Sequence, residues 1–175
     1  MIKIMKNSHI IKKDQQEKII ISESGDYTIT LDGEGSHALS VGAFHLVGSE
    51  QLDLNLTIIH DAPHTSAQTL IKVVLDDSAS AVINGTIIVK KNAQQTNSFL
   101  AENVLMLSNF ARAQAIPNLE IEADDVKCSH AATVANIDQE SLFYLQSRGV
   151  GEVQAKKMIA DGFLSSARAM LEGNH

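Results

Sequence analysis

Tryptophan is absent from this chain, aromatic residues make up 4% of it, proline occurs twice and cysteine once. One thiol excludes an internal disulfide. So few aromatics leave a core of small branched aliphatics, which suits closely stacked β layers better than a sandwich centred on a large ring. The formal net charge is -7 and there is no basic stripe outside residues 1–18, which opposes nucleic-acid binding through phosphates. No G-x-x-x-x-G-K-[ST] motif occurs, so any ATP hydrolysis would belong to a partner. No apolar run approaches the length of a membrane span, and the opening MIKIMKNSHIIKKDQQEK lacks the apolar centre of a signal peptide. The chain therefore reads as cytosolic, with no membrane partner.

What is present is a series of short apolar runs separated by turns, and 175 residues are enough for one domain, or one domain with a small helical appendix. Residues 1–17 hold Lys3, Lys6, Lys12 and Lys13; Met1–Met5 reads as a short strand and Lys6–Glu17 as a turn or mobile segment, either a solvated terminus or a basic arm for an acidic partner. Residues 18–137 are expected to form a mainly β core. In LDLNLTIIH, Leu52, Leu54, Leu56 and Ile58 alternate with Asp53, Asn55 and Thr57, which predicts one buried and one solvated face and puts His60 on the apolar side. Turns are expected at Asp76-Asp77, Asn84-Gly85 and Lys91-Asn92. Most are not two-residue hairpin turns, which favours a coil winding forward with strands in parallel; Asn84-Gly85, read alone, is a hairpin signal.

Pro117 cannot donate to a strand ladder, so a strand is expected to begin just after it, followed by a turn at Asp124-Asp125 and a second strand in which Val126, Cys128 and His130 share one face. After Ile137 the period becomes helical, with Asp138 as N-cap and Gly149 as a left-handed C-terminal cap. Residues 138–175 thus form a helical region, whose second helix starts near Gly151-Glu152 and carries Val153, Met158, Ile159 and Phe163 as an apolar stripe. Cys128 and His130 are spaced to reach one ion, or are simply a small buried hydrophobe and a satisfied polar side chain. A second set, His60 and His64 with Asp61 and His45, reads either as turn residues or as a divalent-metal site in a homodimeric, cupin-like β protein.

The blocks DDVKCSHAAT and FYLQSRG, with HTSAQ at His64–Gln68, INGTIIV at Ile83–Val89, LSNFARAQAIP at Leu107–Pro117 and IADGFL ending at Leu164, resemble the SufB/SufD family, the scaffold subunits of Suf iron–sulfur cluster assembly. The resemblance implies a right-handed parallel β-helix followed by a small C-terminal two-helix region that projects from it. It implies a non-catalytic scaffold whose C-terminal edge, around residues 118–130, joins a second SufB/SufD-type subunit, either a SufB-like partner or another copy of this chain. No cofactor would be stably bound; a transient iron–sulfur cluster would be shared with that partner.

Within the family, KCSHAAT resembles the SufD-like branch, since the SufB-like branch has a cysteine near this chain's Glu102 and an acidic residue where this chain has Ala131. The resemblance makes His130 a cluster ligand or proton acceptor at the junction, with Cys128 a neighbouring thiol. It makes the C-terminal helices, here Met158, Ile159 and Phe163, the contact for a SufC-like ATPase. Family members usually carry more helix beyond the Gly162-Phe163 position and a helical N-terminal region that this sequence does not show.

Overall fold

A computed structural model describes residues 6–173, the side chain of Lys6 excepted. Among these residues ten strands come first: β1 (Lys6–Ile11), β2 (Gln16–Ile21), β3 (Gly25–Leu31), β4 (His37–Leu46), β5 (Gln51–His60), β6 (Ser66–Leu75), β7 (Ser80–Val89), β8 (Asn97–Met106), β9 (Arg112–Ile121) and β10 (Lys127–Asn136). Two helices follow, α1 (Gln139–Ser147) and α2 (Glu152–Glu172).

Odd and even strands separate into two five-stranded parallel sheets, ordered β1-β3-β5-β7-β9 and β10-β8-β6-β4-β2. Each coil adds one strand to either sheet, so the chain is a parallel β-helix of about four turns. Through the middle coils equivalent positions are 29 residues apart: Asn55 Nδ2 donates to Asp26 Oδ1 at 2.9 Å and Asn84 Nδ2 to Asn55 Oδ1 at 2.7 Å, an amide ladder on the outer surface. The inner faces supply one core of Ile, Leu, Val and Ala, including Ile29, Leu56, Ile58, Ile83 and Ile87. Parallel strands give no two-residue hairpins. Asn84-Gly85 accordingly lies inside β7 and not at a turn, a correction to its local signal.

Two further expectations are corrected. Lys6–Glu17 is no mobile segment, because Lys6–Ile11 pairs in register with β3; the strand read at Met1–Met5 falls outside the described residues. Pro117 does not precede a strand but sits within β9 opposite Gly85. That strand is the edge of its sheet, so the missing N–H breaks no ladder on its outer side.

The helices do not project from the solenoid. Val74 on β6 and Leu105 on β8 point outward, and with Leu107 and Ile137 they form an apolar strip on the even sheet that Leu142, Ala155, Ala160 and Leu164 cover. Asp138 caps α1, accepting from the N–H groups of Glu140 at 3.3 Å and Ser141 at 3.0 Å, and Gly149 ends it at φ 88°. α2 then runs back across the sheet until Lys18 Nζ on β2 donates to the carbonyls of Leu171 at 2.9 Å and Gly173 at 2.6 Å. No helix among the described residues is long and apolar enough to cross a membrane.

Candidate functional site

β9 and β10 each pair on one side only, so the C-terminal end of the solenoid presents two free edges. Inner-face positions become solvent-facing there. Leu119 and Ile121 stack on the fully enclosed Ile87 and Val89, and Val134 on Val104, yet the three are 44%, 43% and 41% exposed.

Cys128 and His130 occupy inner-face positions of β10, in register with Ser98 and Leu100 of β8. The thiol is half-buried against the main core, and burial raises its pKa against the opposing pull of a backbone hydrogen bond from Ser98. It therefore stays protonated unless a metal takes the proton's place. The imidazole is turned inward, its side chain 4% exposed, with Nε2 3.3 Å from Oε2 of Glu102. Glu102, on β8 between the inward Leu100 and Val104, is wholly enclosed. Neither its oxygens nor the His130 nitrogens make a hydrogen bond of good geometry.

Strand alternation places Cys128 and His130 on one face correctly, but gives no sign of Glu102 as their neighbour. In FLAENVLML a lone glutamate looks like a solvent-facing break. The one available signal lies on the preceding strand, in the opposite sheet, at Gly85, where an added Cβ would fall 2.1 Å from Glu102 Oε1.

The second histidine set does not assemble. His60 is buried inside the coil, its Nδ1–H donating to Thr65 Oγ1 at 2.8 Å and its Nε2 accepting from Ser98 Oγ at 2.9 Å. Thr65 Oγ1 in turn donates to the Ala62 carbonyl at 3.1 Å, which fixes that tautomer. Burial pushes the His60 pKa down to about 4. His64 sits at an exposed left-handed corner (φ 57°), matching Gly35 (φ 71°) and Gln95 (φ 58°) in adjacent coils. His45 is exposed on β4, and Asp61 Oδ2 accepts from Lys90 Nζ at 2.6 Å. Among the described residues no group of three or more His, Cys, Asp or Glu side chains is placed to hold a metal. The parallel coil also removes the cupin-like alternative, which needs antiparallel sheets.

Of the helical stripe, Ile159 and Phe163 pack partly on the solenoid, the Lys72 ammonium lying 4.8 Å from the Phe163 ring centre. Met158 and Val153 remain 45% and 85% exposed, and on α1 Phe143 and Tyr144 are 70% and 57% exposed. The buried face of α2 is Ala155, Ala160, Leu164 and Ala167 instead.

The C-terminal end of this parallel solenoid thus leaves two strand edges unpaired and encloses a thiol, an imidazole and a carboxylate on the inner face of its last coils. Residues 17–163 match the family described as SUF system FeS cluster assembly, SufBD core domain, and the chain belongs to that family. It is 38% identical over 134 residues to the iron–sulfur cluster assembly protein SufD of Escherichia coli K12, covering 76% of this chain and 31% of that protein. It is 34% identical over 138 residues to SufD of Bacillus subtilis 168, covering 79% of this chain and 32% of the relative. A SufBD family iron–sulfur cluster assembly protein of Synechocystis sp. is 38% identical over 118 residues, 67% of this chain and 26% of the relative. The chain thus spans under a third of the length of these curated relatives.

Proposed function

We propose that this chain is a SufD-like scaffold component that pairs through the open end of its solenoid with a SufB-like subunit, the junction supporting transient assembly of an iron–sulfur cluster. The observation that carries the reading is the exposure of Leu119, Ile121 and Val134 at inner-face positions on two unpaired strand edges, on the same coil as Cys128 and His130. Exposed strand edges and apolar rungs need a cap or a partner, and a second open solenoid offers both. A second copy of this chain would meet the same need by twofold pairing of identical edges.

The donor set fits cluster iron in kind and falls short in number. Imidazole and thiolate are competent iron ligands, but a cluster held stably takes several thiolates and this chain has one cysteine. The partner must supply the rest, and a shared, under-ligated cluster is one that is readily passed on. The chain carries out no reaction of its own in this scheme. ATP hydrolysis belongs to a SufC-like ATPase, to which the helices offer exposed apolar side chains, Met158 and Val153 on α2 and Phe143 and Tyr144 on α1, while Ile159 and Phe163 are partly occupied within the chain.

The test is co-expression with a SufB-like subunit, native mass measurement of the complex, and anaerobic reconstitution with iron and sulfide. A heteromeric complex that gains visible cluster absorption, with less gained by His130→Ala, is the expected result. A complex that gains no cluster, or a His130→Ala complex indistinguishable from the parent, overturns the site assignment. Recovery of a homodimer alone replaces the SufB-like partner with a second copy.

A further inference from the structure

Glu102 is the only acidic side chain among the described residues that is fully enclosed. It sits on the inner face of β8 between Leu100 and Val104 of the same strand, and both of its oxygens lack a hydrogen-bond partner. Its ionisable neighbour is the imidazole of His130, whose side chain is 4% exposed and whose nitrogens likewise lack a hydrogen-bond partner. The opposite sheet makes room for the carboxylate: only glycine at position 85 leaves the space that Oε1 fills. An apolar side chain of the same length would serve this rung better, since a carboxylate is strongly destabilised in an apolar interior unless a countercharge meets it. The fold therefore holds a carboxylate and an imidazole face to face with free lone pairs, in the last two coils below the uncovered end.

We propose that Glu102 and His130 together bind one divalent cation of the ferrous type, entering through the open end of the solenoid. This rests on the scaffold reading above and deepens it, by naming a landing place for single iron ions within this chain. One carboxylate oxygen and one imidazole nitrogen are donors that borderline first-row cations accept. The negative charge of Glu102 offsets part of the charge of the ion. Two protein ligands leave positions for water or for a partner's side chains, so the ion is held loosely. Cys128, two residues before His130 on the same inner face, is not one of the two ligands.

Cobalt(II) is a suitable probe, titrated into the full chain without oxygen and followed by its visible absorption. The expected result is one pair-dependent ion per chain, with affinity at least about tenfold weaker in Glu102→Gln and in His130→Ala, and unchanged in His45→Ala. Should Glu102→Gln fail to fold by circular dichroism, Glu102→Asp keeps the charge and is expected to bind more weakly than the parent. The proposal is overturned if the parent binds no ion, if Glu102→Gln or the folded Asp variant binds like the parent, or if binding disappears only when exposed histidines such as His45 or His64 are replaced. No partner subunit is needed for this titration. A parent chain that forms the complex but binds no cobalt sinks the pair alone; a parent chain that binds cobalt through the pair but forms no complex sinks the scaffold reading alone.

Discussion

Gly85 and Glu102 compete for one volume: a Cβ on Gly85 would lie 2.1 Å from Glu102 Oε1 and 2.6 Å from Leu100 Cδ2. The carboxylate is the end of a flexible side chain and can yield, but Leu100 is fully enclosed and cannot move far. Gly85→Ala is therefore expected to destabilise the fold by about 1–3 kcal/mol, the usual result of overpacking. In urea unfolding, Gly85→Ala made together with Glu102→Ala should be less destabilising than the sum of the two single changes. Additive effects would mean that the two residues do not share space.

The same contact marks where the fold is legible in the residues and where it is not. Alternation in β5 is plain, because Leu52, Leu54, Leu56 and Ile58 all face inward while Asp53, Asn55 and Thr57 between them do not. The solenoid is harder to see. Its repeat of 29 residues holds from Asp26 through Asn55 to Asn84, then lengthens to 31 between Thr65 and Thr96, so a fixed period does not carry through the chain. The coil length is nonetheless written in the residues, in the equal spacing of Asp26, Asn55 and Asn84 and of His37 and Ser66. Asn84-Gly85 misleads because cross-coil packing around Glu102 overrides a local turn preference. The helix face misleads for another reason: α2 approaches the sheet through small residues, Ala155, Ala160 and Ala167, and a reading by hydrophobic bulk selects Val153 and Met158, which lie outside the contact.

His60 gives the fold a pH dependence of definite sign. Its folded pKa is about 4 against an ordinary 6.5, because the ring is buried. Above pH 6.5 neither folded nor unfolded chain protonates it and its contribution is intact. As pH falls from 6.5 toward 4 the unfolded chain takes up a proton that the folded one refuses, and about 3 kcal/mol of stability is lost. The depressed pKa values of Asp32, beside Lys12, and Asp161, beside Lys157 and Arg168, add their own losses only at lower pH, below 3.8. Urea unfolding between pH 7 and 5 should thus show a slope that His60→Asn flattens, whatever its effect on absolute stability. An unchanged slope would place the titrating group elsewhere.

Lys18 ties the first described coils to the end of the chain. Its ammonium donates to the carbonyls of Leu171 and Gly173, which the end of α2 leaves without intrahelical partners. Lys18→Ala should cost about 1 kcal/mol, concentrated in the last turn of α2. Hydrogen exchange over residues 165–173 should accelerate while the solenoid core stays protected, and Lys18→Arg should restore most of the protection. Equal exchange in parent and Lys18→Ala would mean that packing of Leu164 and Ala167 alone holds the helix down.

Leu119 and Val134 separate the junction from the fold. Both occupy inner-face positions of the terminal coil, where their neighbours Ile87 and Val104 are enclosed and they themselves are not. Lysine at either position therefore projects into solvent in the isolated chain, so thermal unfolding of Leu119→Lys and Val134→Lys should stay close to the parent. Once a partner covers the end, the same lysines lose their hydration against an apolar surface. Each forfeits the roughly 2 kcal/mol that a buried aliphatic side chain contributes, and each adds an unpaired buried charge. Association with a SufB-like subunit, or with a second copy, should weaken by well over tenfold in sedimentation or native mass measurements. Val153→Lys, on the exposed face of α2 and not on the edge strands β9 and β10, should leave that association unchanged. If Val153→Lys abolished pairing while Leu119→Lys and Val134→Lys did not, the contact would lie on the helices, and the open end of the solenoid would need another explanation.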